Sequence, residues 1–157
     1  MEIMIKLLFV CHGNICRSPM AEFIFKKLVQ EKGLSDAYYV ESAATSTEEI
    51  GNDMYPPAKR KLKEKGVPFS LRQARQVRYD EYEKWDYIIG MDKWNMQNLK
   101  RIFKTDPQEK VHSLLKNRDV ADPWYTDDFE RAYEDIYQGC TEWLERIQND
   151  QTKSTHA

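Results

Sequence analysis

The apolar residues of this chain alternate between short continuous runs and longer segments of mixed polarity. Four apolar, β-rich runs predict strands, at Met4 to Val10, Tyr38 to Glu41, Trp85 to Gly90 and Lys110 to Ser113. The segments between these runs are long enough to form helices. Strands that alternate with helices are typical of a parallel sheet covered by helices, so the pattern predicts an α/β protein.

Three of the intervening segments carry apolar residues at helical spacing, which predicts that one face of each packs against the sheet. These residues are Met20, Phe23, Ile24 and Leu28 in the first segment, Leu99, Ile102 and Phe103 in the second, and Phe129, Ala132, Tyr133, Ile136, Tyr137, Cys140, Trp143, Leu144 and Ile147 in the third. A further helix is expected from about Ala58 to Gly66. The order fits a flavodoxin-like fold, an open parallel four-stranded sheet with helices on both faces.

Length and composition indicate one globular unit. At 157 residues and 41% hydrophobic content, the chain is long enough to bury one core. We expect a single domain over residues 1–150 and a polar, disordered tail over residues 151–157. The net charge of −2 does not indicate the basic surface that nucleic-acid-binding proteins use. No run approaches the ~20 apolar residues of a membrane span, and the interrupted apolar start favours a first strand over a signal peptide.

The cysteine content bears on the cellular compartment. The chain has three cysteines, an odd number that does not suit a disulfide framework. A free reactive thiol requires a reducing environment, so we expect a cytoplasmic protein. The expected oligomeric state is a monomer, or at most a weak dimer.

The segment Cys11-His12-Gly13-Asn14-Ile15-Cys16-Arg17 follows the first predicted strand and precedes Ser18-Pro19. Ser is favoured as a helix N-cap and Pro at the first helical position, so we expect a strand, an anion-binding loop and then a helix that begins after Ser18. Gly13 and Asn14 tolerate positive φ angles and are expected to curl the loop until its amides point inward. The predicted loop is therefore a cradle for a tetrahedral phosphate, beside a positive helix end.

Cys11 lies where a nucleophile would meet that phosphate. The helix N-terminus and the guanidinium of Arg17 favour its thiolate form, and Ser18 is also in position to bond the sulfur. The planar fork of Arg17 matches two phosphate oxygens at once, which a lysine cannot do. A free cysteine at a strand end is more often a buried small hydrophobe. The catalytic interpretation is favoured by the residue types that follow Cys11 at the required spacing, which are Gly, Asn, Arg, Ser and Pro.

These residues resemble the low molecular weight protein tyrosine phosphatases, whose motif V-C-x-G-N-I-C-R-S-P is matched at every specified position by Val10 to Pro19. The family's second element, an Asp-Pro followed by aromatic residues, is matched by Asp122-Pro123-Trp124-Tyr125. The resemblance covers the chain to about Asp150. It implies that Cys11, Arg17 and Asp122 are catalytic, and that the phosphate is bound by His12, Gly13, Asn14, Ile15, Cys16, Arg17 and Ser18.

The resemblance also implies a two-step reaction on phosphotyrosine proteins, with no metal and no cofactor. Cys11 attacks phosphorus while Asp122 protonates the leaving phenolate, and water then hydrolyses the cysteinyl-phosphate. A substrate pocket of Glu48, Trp124 and Tyr125 is expected, although the two aromatic side chains could equally serve loop packing.

The sequence departs from the family around the pocket. Glu48, followed by Glu49, stands where many members carry an aromatic or apolar residue, so we expect an acidic rim. His12 occupies a variable position. Arg72 stands where relatives often have a histidine that supports the loop.

Three other functions share parts of this pattern. The related phosphoarginine phosphatases have a Thr in place of Ile15, so Ile15 favours phosphotyrosine. Arsenate reductases of this fold need two further cysteines near the third strand, and residues 79–90 contain none. A non-catalytic phosphopeptide-binding module would have no need for both Cys11 and Asp122. Phosphotyrosine hydrolysis is therefore the favoured function.

Overall fold

The sheet has the predicted size and direction. A computed structural model describes residues 4–156, with side chains to Thr152, so residues 1–3 of the predicted domain and Ala157 of the predicted tail lie outside it. The strands are β1 (Ile5–Cys11), β2 (Tyr38–Ala44), β3 (Tyr87–Gly90) and β4 (Val111–Ser113). They are parallel, in the order β2-β1-β3-β4. The predicted α/β class and four-stranded sheet are confirmed.

The helices fill the predicted intervals between the strands. They are α1 (Arg17–Glu31), α2 (Pro56–Glu64), α3 (Lys93–Phe103), α4 (Pro123–Thr126) and α5 (Phe129–His156), with 3₁₀ turns at Ser35–Ala37 and Tyr79–Lys84. None of the helices within residues 4–156 combines the length and apolar character needed to cross a membrane.

The sheet is buried on both faces, because β1 sends alternate side chains to opposite sides. Leu7 and Phe9 join a larger core with apolar residues of α1, α2 and α5. Leu8 and Val10 join a smaller core that includes Trp85 and residues of α3. Cys140 is fully buried in the larger core, as the helical spacing predicted.

Several element boundaries differ from the sequence-based expectation. Strand β2 continues to Ala44 instead of ending at Glu41, β3 begins at Tyr87 instead of Trp85, and two helix ends also differ. Helix α1 begins at Arg17 with Cys16 as its N-cap, so the prediction that Ser18 caps it is wrong. Helix α5 continues to His156, past Asp150, where we expected a disordered tail. Within the extension Thr152 Oγ1 donates to the carbonyl of Gln148, and Gln148 Nε2 bonds the hydroxyl of Tyr38 at the start of β2. The second of these contacts joins α5, two residues before Asp150, to the start of β2.

The fold brings three loops together at the carboxyl edge of the sheet. β1 lies between β2 and β3, so the chain leaves the sheet on different sides at this point, where open α/β sheets bind ligands. The loop after β2 is tied to the loop after β1, since Thr45 N–H donates to the Cys11 carbonyl at 2.9 Å and Ser46 N–H to the His12 carbonyl at 3.1 Å. The third loop, after β4, carries Asp122.

Candidate active site

The sulfur of Cys11 lies at the floor of the loop after β1 and is surrounded by hydrogen-bond donors. The N–H groups of Asn14 and Ser18 approach Cys11 Sγ at 3.3 and 3.4 Å. Ser18 Oγ lies 3.0 Å from the same sulfur. A thiolate is an acceptor and is stabilised by such donors, so the floor suits a nucleophilic sulfur.

The turn of the loop is made by Asn14 and not by Gly13. Asn14 has a φ of 61°, whereas Gly13 is absent from the residues with positive φ in the described part of the chain. Of the two residues expected to curl the loop through their tolerance of positive φ, only Asn14 uses that conformation. Gly13 is next to a side chain instead: a Cβ built on it would lie 3.4 Å from Glu49 Cγ.

Asn14 holds its unusual backbone through its buried amide. Its Nδ2 donates to Ser18 Oγ at 2.8 Å and to Ser42 Oγ at 3.0 Å. Its Oδ1 accepts from the backbone of Arg75 at 3.2 Å and from the guanidinium of Arg72. Because Ser18 Oγ accepts from Asn14, its one hydroxyl proton can be donated to Cys11 Sγ at 3.0 Å or to the Ala43 carbonyl at 3.4 Å. Arg72 thus reaches the loop where the resemblance implied a supporting histidine.

Arg17 presents one edge of its guanidinium to the cleft. The side chain is 2% exposed. Its Nη1 donates to Asp92 Oδ2 at 2.7 Å and to the Val120 carbonyl at 2.8 Å. Its Nη2 reaches Asp122 Oδ2 at 3.4 Å, while its buried Nε has no hydrogen-bond partner among the described residues. The edge formed by Nε and Nη2 is therefore left to bind two oxygens of a phosphate.

The charges around Arg17 keep it protonated. Burial alone would lower the pKa of Arg17, but the nearby charges of Cys11, Asp122 and Asp92 outweigh it and the net shift is upward.

Cys16 differs chemically from Cys11 although both belong to the same loop. Burial, reinforced by the charges of Cys11 and Asp122, strongly raises the pKa of Cys16. Cys16 therefore stays a neutral thiol, and it serves as the N-cap residue of α1. The geometry leaves Cys11 as the candidate nucleophile of the pair.

Asp122 faces the same cleft from the loop after β4. It is the N-cap of α4, where its Oδ1 accepts from Trp124 N–H at 3.1 Å. Its backbone is extended, with φ −76° and ψ 113°, as expected for the residue before Pro123. Its other oxygen, Oδ2, is the one near Arg17. One carboxylate oxygen is thus held by the backbone while the other lies at the phosphate-binding edge.

The structure brings most of the predicted site residues into one cleft. The cleft is lined by Cys11, His12, Gly13, Ile15, Cys16, Arg17, Glu48, Glu49, Asp122, Trp124 and Tyr125. The two predicted phosphate-binding residues outside this lining are Asn14 and Ser18, which are buried behind the loop and bond Cys11. Among the residues whose side chains are described, no cluster of His, Cys, Asp and Glu could hold a metal ion.

The sequence and the fold of this chain were compared with those of known proteins. A family model described as low molecular weight phosphotyrosine protein phosphatase matches residues 6–153. The chain belongs to this family. It is 38% identical over 153 residues to the low molecular weight protein-tyrosine-phosphatase YfkJ of Bacillus subtilis strain 168, covering 94% of this chain and 98% of YfkJ. The crystal structure of YfkJ matches with a TM-score of 0.90 at 37% identity, over 94% of this chain and 96% of that one.

Two other solved structures extend the family comparison. The low molecular weight protein tyrosine phosphatase SP-PTP of Streptococcus pyogenes has a TM-score of 0.87 and 38% identity, over 98% of this chain and 100% of that one. The Drosophila arginine phosphatase DARP has a TM-score of 0.82 and 30% identity, over 91% of this chain and 98% of that one. These matches confirm the predicted family and place the protein among phosphatases, which are hydrolases.

The phosphatase site contains one group that the sequence analysis missed. Asp92 follows β3 and is the N-cap of α3, where its Oδ1 accepts from Asn95 N–H at 2.8 Å. The same carboxylate fixes Arg17 through Oδ2. The sequence did carry a signal for Asp92, because an Asp that follows a predicted strand beside the topological switch point lies where open α/β sheets bind ligands.

The rim of the phosphatase cleft is acidic on one wall and aromatic on the other. Glu48 Oε2 lies 2.9 Å from His12 Nε2, and both side chains are exposed. Glu49 accepts from Asn52 Nδ2 at 2.7 Å through its Oε2. Trp124 and Tyr125 stand on the α4 side of the cleft and are also exposed.

Proposed function

We propose that this phosphatase hydrolyses phosphotyrosine in proteins, and small aryl phosphates, through a cysteinyl-phosphate intermediate. One observation carries the proposal: Cys11 Sγ, the free edge of Arg17 and the Asp122 carboxyl group line the same cleft. A phosphate seated against the loop would meet the sulfur, the guanidinium and the carboxyl group together. Membership of the family supports phosphotyrosine proteins as the substrate class.

In the first step the Cys11 thiolate forms a bond to phosphorus and the bond from phosphorus to the phenolic oxygen breaks. Asp122, protonated, gives its proton to that oxygen, so the leaving group departs as a neutral phenol. Arg17 and the loop amides hold the equatorial oxygens, on which negative charge is concentrated in the transition state.

In the second step a water molecule attacks phosphorus and the bond to sulfur breaks. Asp122, now ionised, takes a proton from the water, and the thiolate of Cys11 is restored together with inorganic phosphate. The donors around Cys11 Sγ also stabilise the sulfur as it leaves. This chemistry needs a reduced thiol, which is the reason for proposing a cytoplasmic location.

Phosphoarginine is the second substrate to consider, because the Drosophila arginine phosphatase shares the fold. Ile15 lines the cleft with an apolar side chain, and the exposed rings of Trp124 and Tyr125 lie on another part of its wall. An apolar wall favours a phenyl ring over a guanidinium group, whereas aromatic faces accept both. Ile15 thus supports phosphotyrosine.

The test compares p-nitrophenyl phosphate, a phosphotyrosine peptide and phosphoarginine with the purified chain in a metal chelator. We expect both aryl phosphates to be hydrolysed and phosphoarginine to be a poor substrate. Faster hydrolysis of phosphoarginine would select the second candidate. Loss of all activity in the chelator, restored by a divalent cation, would contradict the cysteine mechanism.

A further inference from the structure

Tyr55 lies outside the cleft but contacts two of the segments that form it. Its backbone N–H donates to the carbonyl of Ile15, in the phosphate loop, at 2.8 Å. Its ring packs against Trp124, with centroids 4.9 Å apart and planes at 54°, and against Phe129, with centroids 6.1 Å apart. Tyr55 therefore bridges the phosphate loop and the segment that follows Asp122.

The backbone of Tyr55 is well suited to hold a fixed ring. Tyr55 is the N-cap residue of α2, and its carbonyl accepts from Ala58 N–H at 2.9 Å. The next two residues, Pro56 and Pro57, have restricted φ angles and begin the helix. The ring thus projects from a rigid point that is itself bonded to the floor of the site.

Trp124 passes this restraint to Asp122. The backbone N–H of Trp124 donates to Asp122 Oδ1 at 3.1 Å. The indole is 51% exposed, and its ring contact in the described structure is the one with Tyr55. The remaining side-chain contact of the Asp122 carboxylate is the long one of 3.4 Å with Arg17. The orientation of the carboxylate therefore depends on where α4 is held.

We propose that Tyr55 is a positioning residue for proton transfer: it fixes Trp124, and through it Asp122, relative to the phosphate loop. This inference rests on the proposed function, because it concerns the general acid of that reaction. A small displacement of a general acid costs rate only where proton transfer is needed. The bond from Tyr55 to the phosphate loop is made by its backbone, while its ring packs on Trp124 and Phe129. A change of the side chain is therefore expected to leave phosphate binding unchanged.

The experiment measures kcat/KM of wild type and Tyr55→Ala on aryl phosphates whose phenols differ in acidity, from phenyl phosphate to 2,4-dinitrophenyl phosphate. We expect a loss of about 10-fold for phenyl phosphate, whose phenolate leaves poorly, and less than about 2-fold for the dinitrophenyl ester. Inhibition by inorganic phosphate should be unchanged. Tyr55→Phe is the matched control, and it should restore wild-type kinetics because it keeps the ring.

A double-mutant cycle tests whether Tyr55 acts on the rate through Asp122. In an Asp122→Ala background, Tyr55→Ala should cost no further rate on phenyl phosphate, because the group that it positions is gone. Partial unfolding would lower the rates on all esters by one factor, so the ratio between esters is insensitive to it. If Tyr55→Ala does not fold, Tyr55→Leu serves, since it keeps an apolar contact with Phe129 and removes the aromatic one with Trp124.

The outcomes separate the inference from the proposed function. An equal loss on all esters, or a full additional loss in the Asp122→Ala background, would overturn the role of Tyr55 while leaving the phosphatase mechanism in place. A wild-type chain that hydrolyses neither p-nitrophenyl phosphate nor phosphotyrosine would instead overturn the proposed function.

Discussion

The floor and the rim of the cleft differ in how their side chains are held. At the floor Cys11, Asn14, Arg17 and Ser18 are each at most 3% exposed. Cys11, Asn14 and Ser18 are joined by hydrogen bonds, and Arg17 is held by Asp92 and the Val120 carbonyl. At the rim the Glu48 side chain is 67% exposed, and Tyr125 is 81% exposed. Buried groups interact in a low dielectric and are screened little by salt, whereas exposed charges are screened strongly. Changes at the floor should therefore be large and independent of salt, and changes at the rim small and dependent on it.

The largest effect is expected for Cys11→Ser. Turnover of p-nitrophenyl phosphate should be abolished, because a serine hydroxyl at this position has no base to activate it. Phosphate binding should remain measurable by calorimetry, since the loop amides and Arg17 are still present. Residual turnover above roughly one per cent, with the variant shown to be free of wild-type enzyme, would exclude Cys11 as the nucleophile.

Removal of the proposed general acid, Asp122, should have the next largest effect. Asp122→Ala is expected to lower kcat on phenyl phosphate by roughly 10²- to 10⁴-fold, in line with general acid contributions. An ester of a more acidic phenol should lose much less, because its leaving group needs no proton. The pH–rate profile of the variant should also lack the high-pH limb that a general acid gives to the wild-type profile. Asp128→Ala is the control: Asp128 Oδ1 accepts from Arg131 N–H at 2.9 Å, at the start of α5.

Equal impairment of Asp122→Ala on good and poor leaving groups, with an unchanged pH profile, would show that another group is the acid. The nearby carboxylates of Asp127 and Asp128 would then be the next to test. Asp128 bonds the start of α5 through its side chain, and Asp127 ends α4 through its backbone N–H.

Arg17→Lys tests whether the floor acts through shape as well as charge. Lysine keeps the positive charge but cannot bond Asp92, the Val120 carbonyl and two phosphate oxygens in one plane. We expect kcat/KM to fall by more than about 10²-fold, with a similar loss at low and high salt. Near-normal kinetics would mean that the planar edge of Arg17 is not the phosphate-binding group.

The sequence predicted the parts of the floor that depend on residue type at fixed spacing. Cys11 and Arg17 belong to one short loop, so their proximity follows from chain connectivity once the strand and helix are recognised. The start of α1 was predicted wrongly, because Ser18 is a favourable N-cap residue but bonds the sulfur and Asn14 here. A local propensity was outweighed by a tertiary contact.

Other parts of the site depend on long-range packing and could not be derived from local pattern. Asp92 lies 75 residues from Arg17 in the sequence and bonds it only because β1 and β3 are neighbours in the sheet. The contact of Tyr55 with Trp124 likewise requires α2 and α4 to meet. The contact of Gln148, near the end of α5, with Tyr38 at the start of β2 is also one that no spacing rule could predict.

The smallest expected effect concerns the rim. The cleft has a cation at its floor and Glu48 and Glu49 at its mouth. Phosphotyrosine peptides flanked by Lys or Arg should therefore have higher kcat/KM than peptides flanked by Asp or Glu, by about 2- to 5-fold per close contact at low salt. Glu48→Gln keeps the shape of the side chain and should reduce this preference. Glu83→Gln, an exposed change outside the cleft lining, is the matched control and should leave it intact.

Salt and a small substrate separate charge from shape at the rim. The preference for basic flanks should fade as ionic strength rises, because exposed charges are screened beyond about 10 Å at 0.1 M salt. Hydrolysis of p-nitrophenyl phosphate, which has no flanks, should differ little between Glu48→Gln and wild type. The rim would be shown not to face the substrate if acidic peptides were hydrolysed as well as basic ones at low salt. A large loss of p-nitrophenyl phosphate hydrolysis in Glu48→Gln would mean that Glu48 acts on the floor of the cleft through its contact with His12. The floor and the rim would then not be separate regions in function.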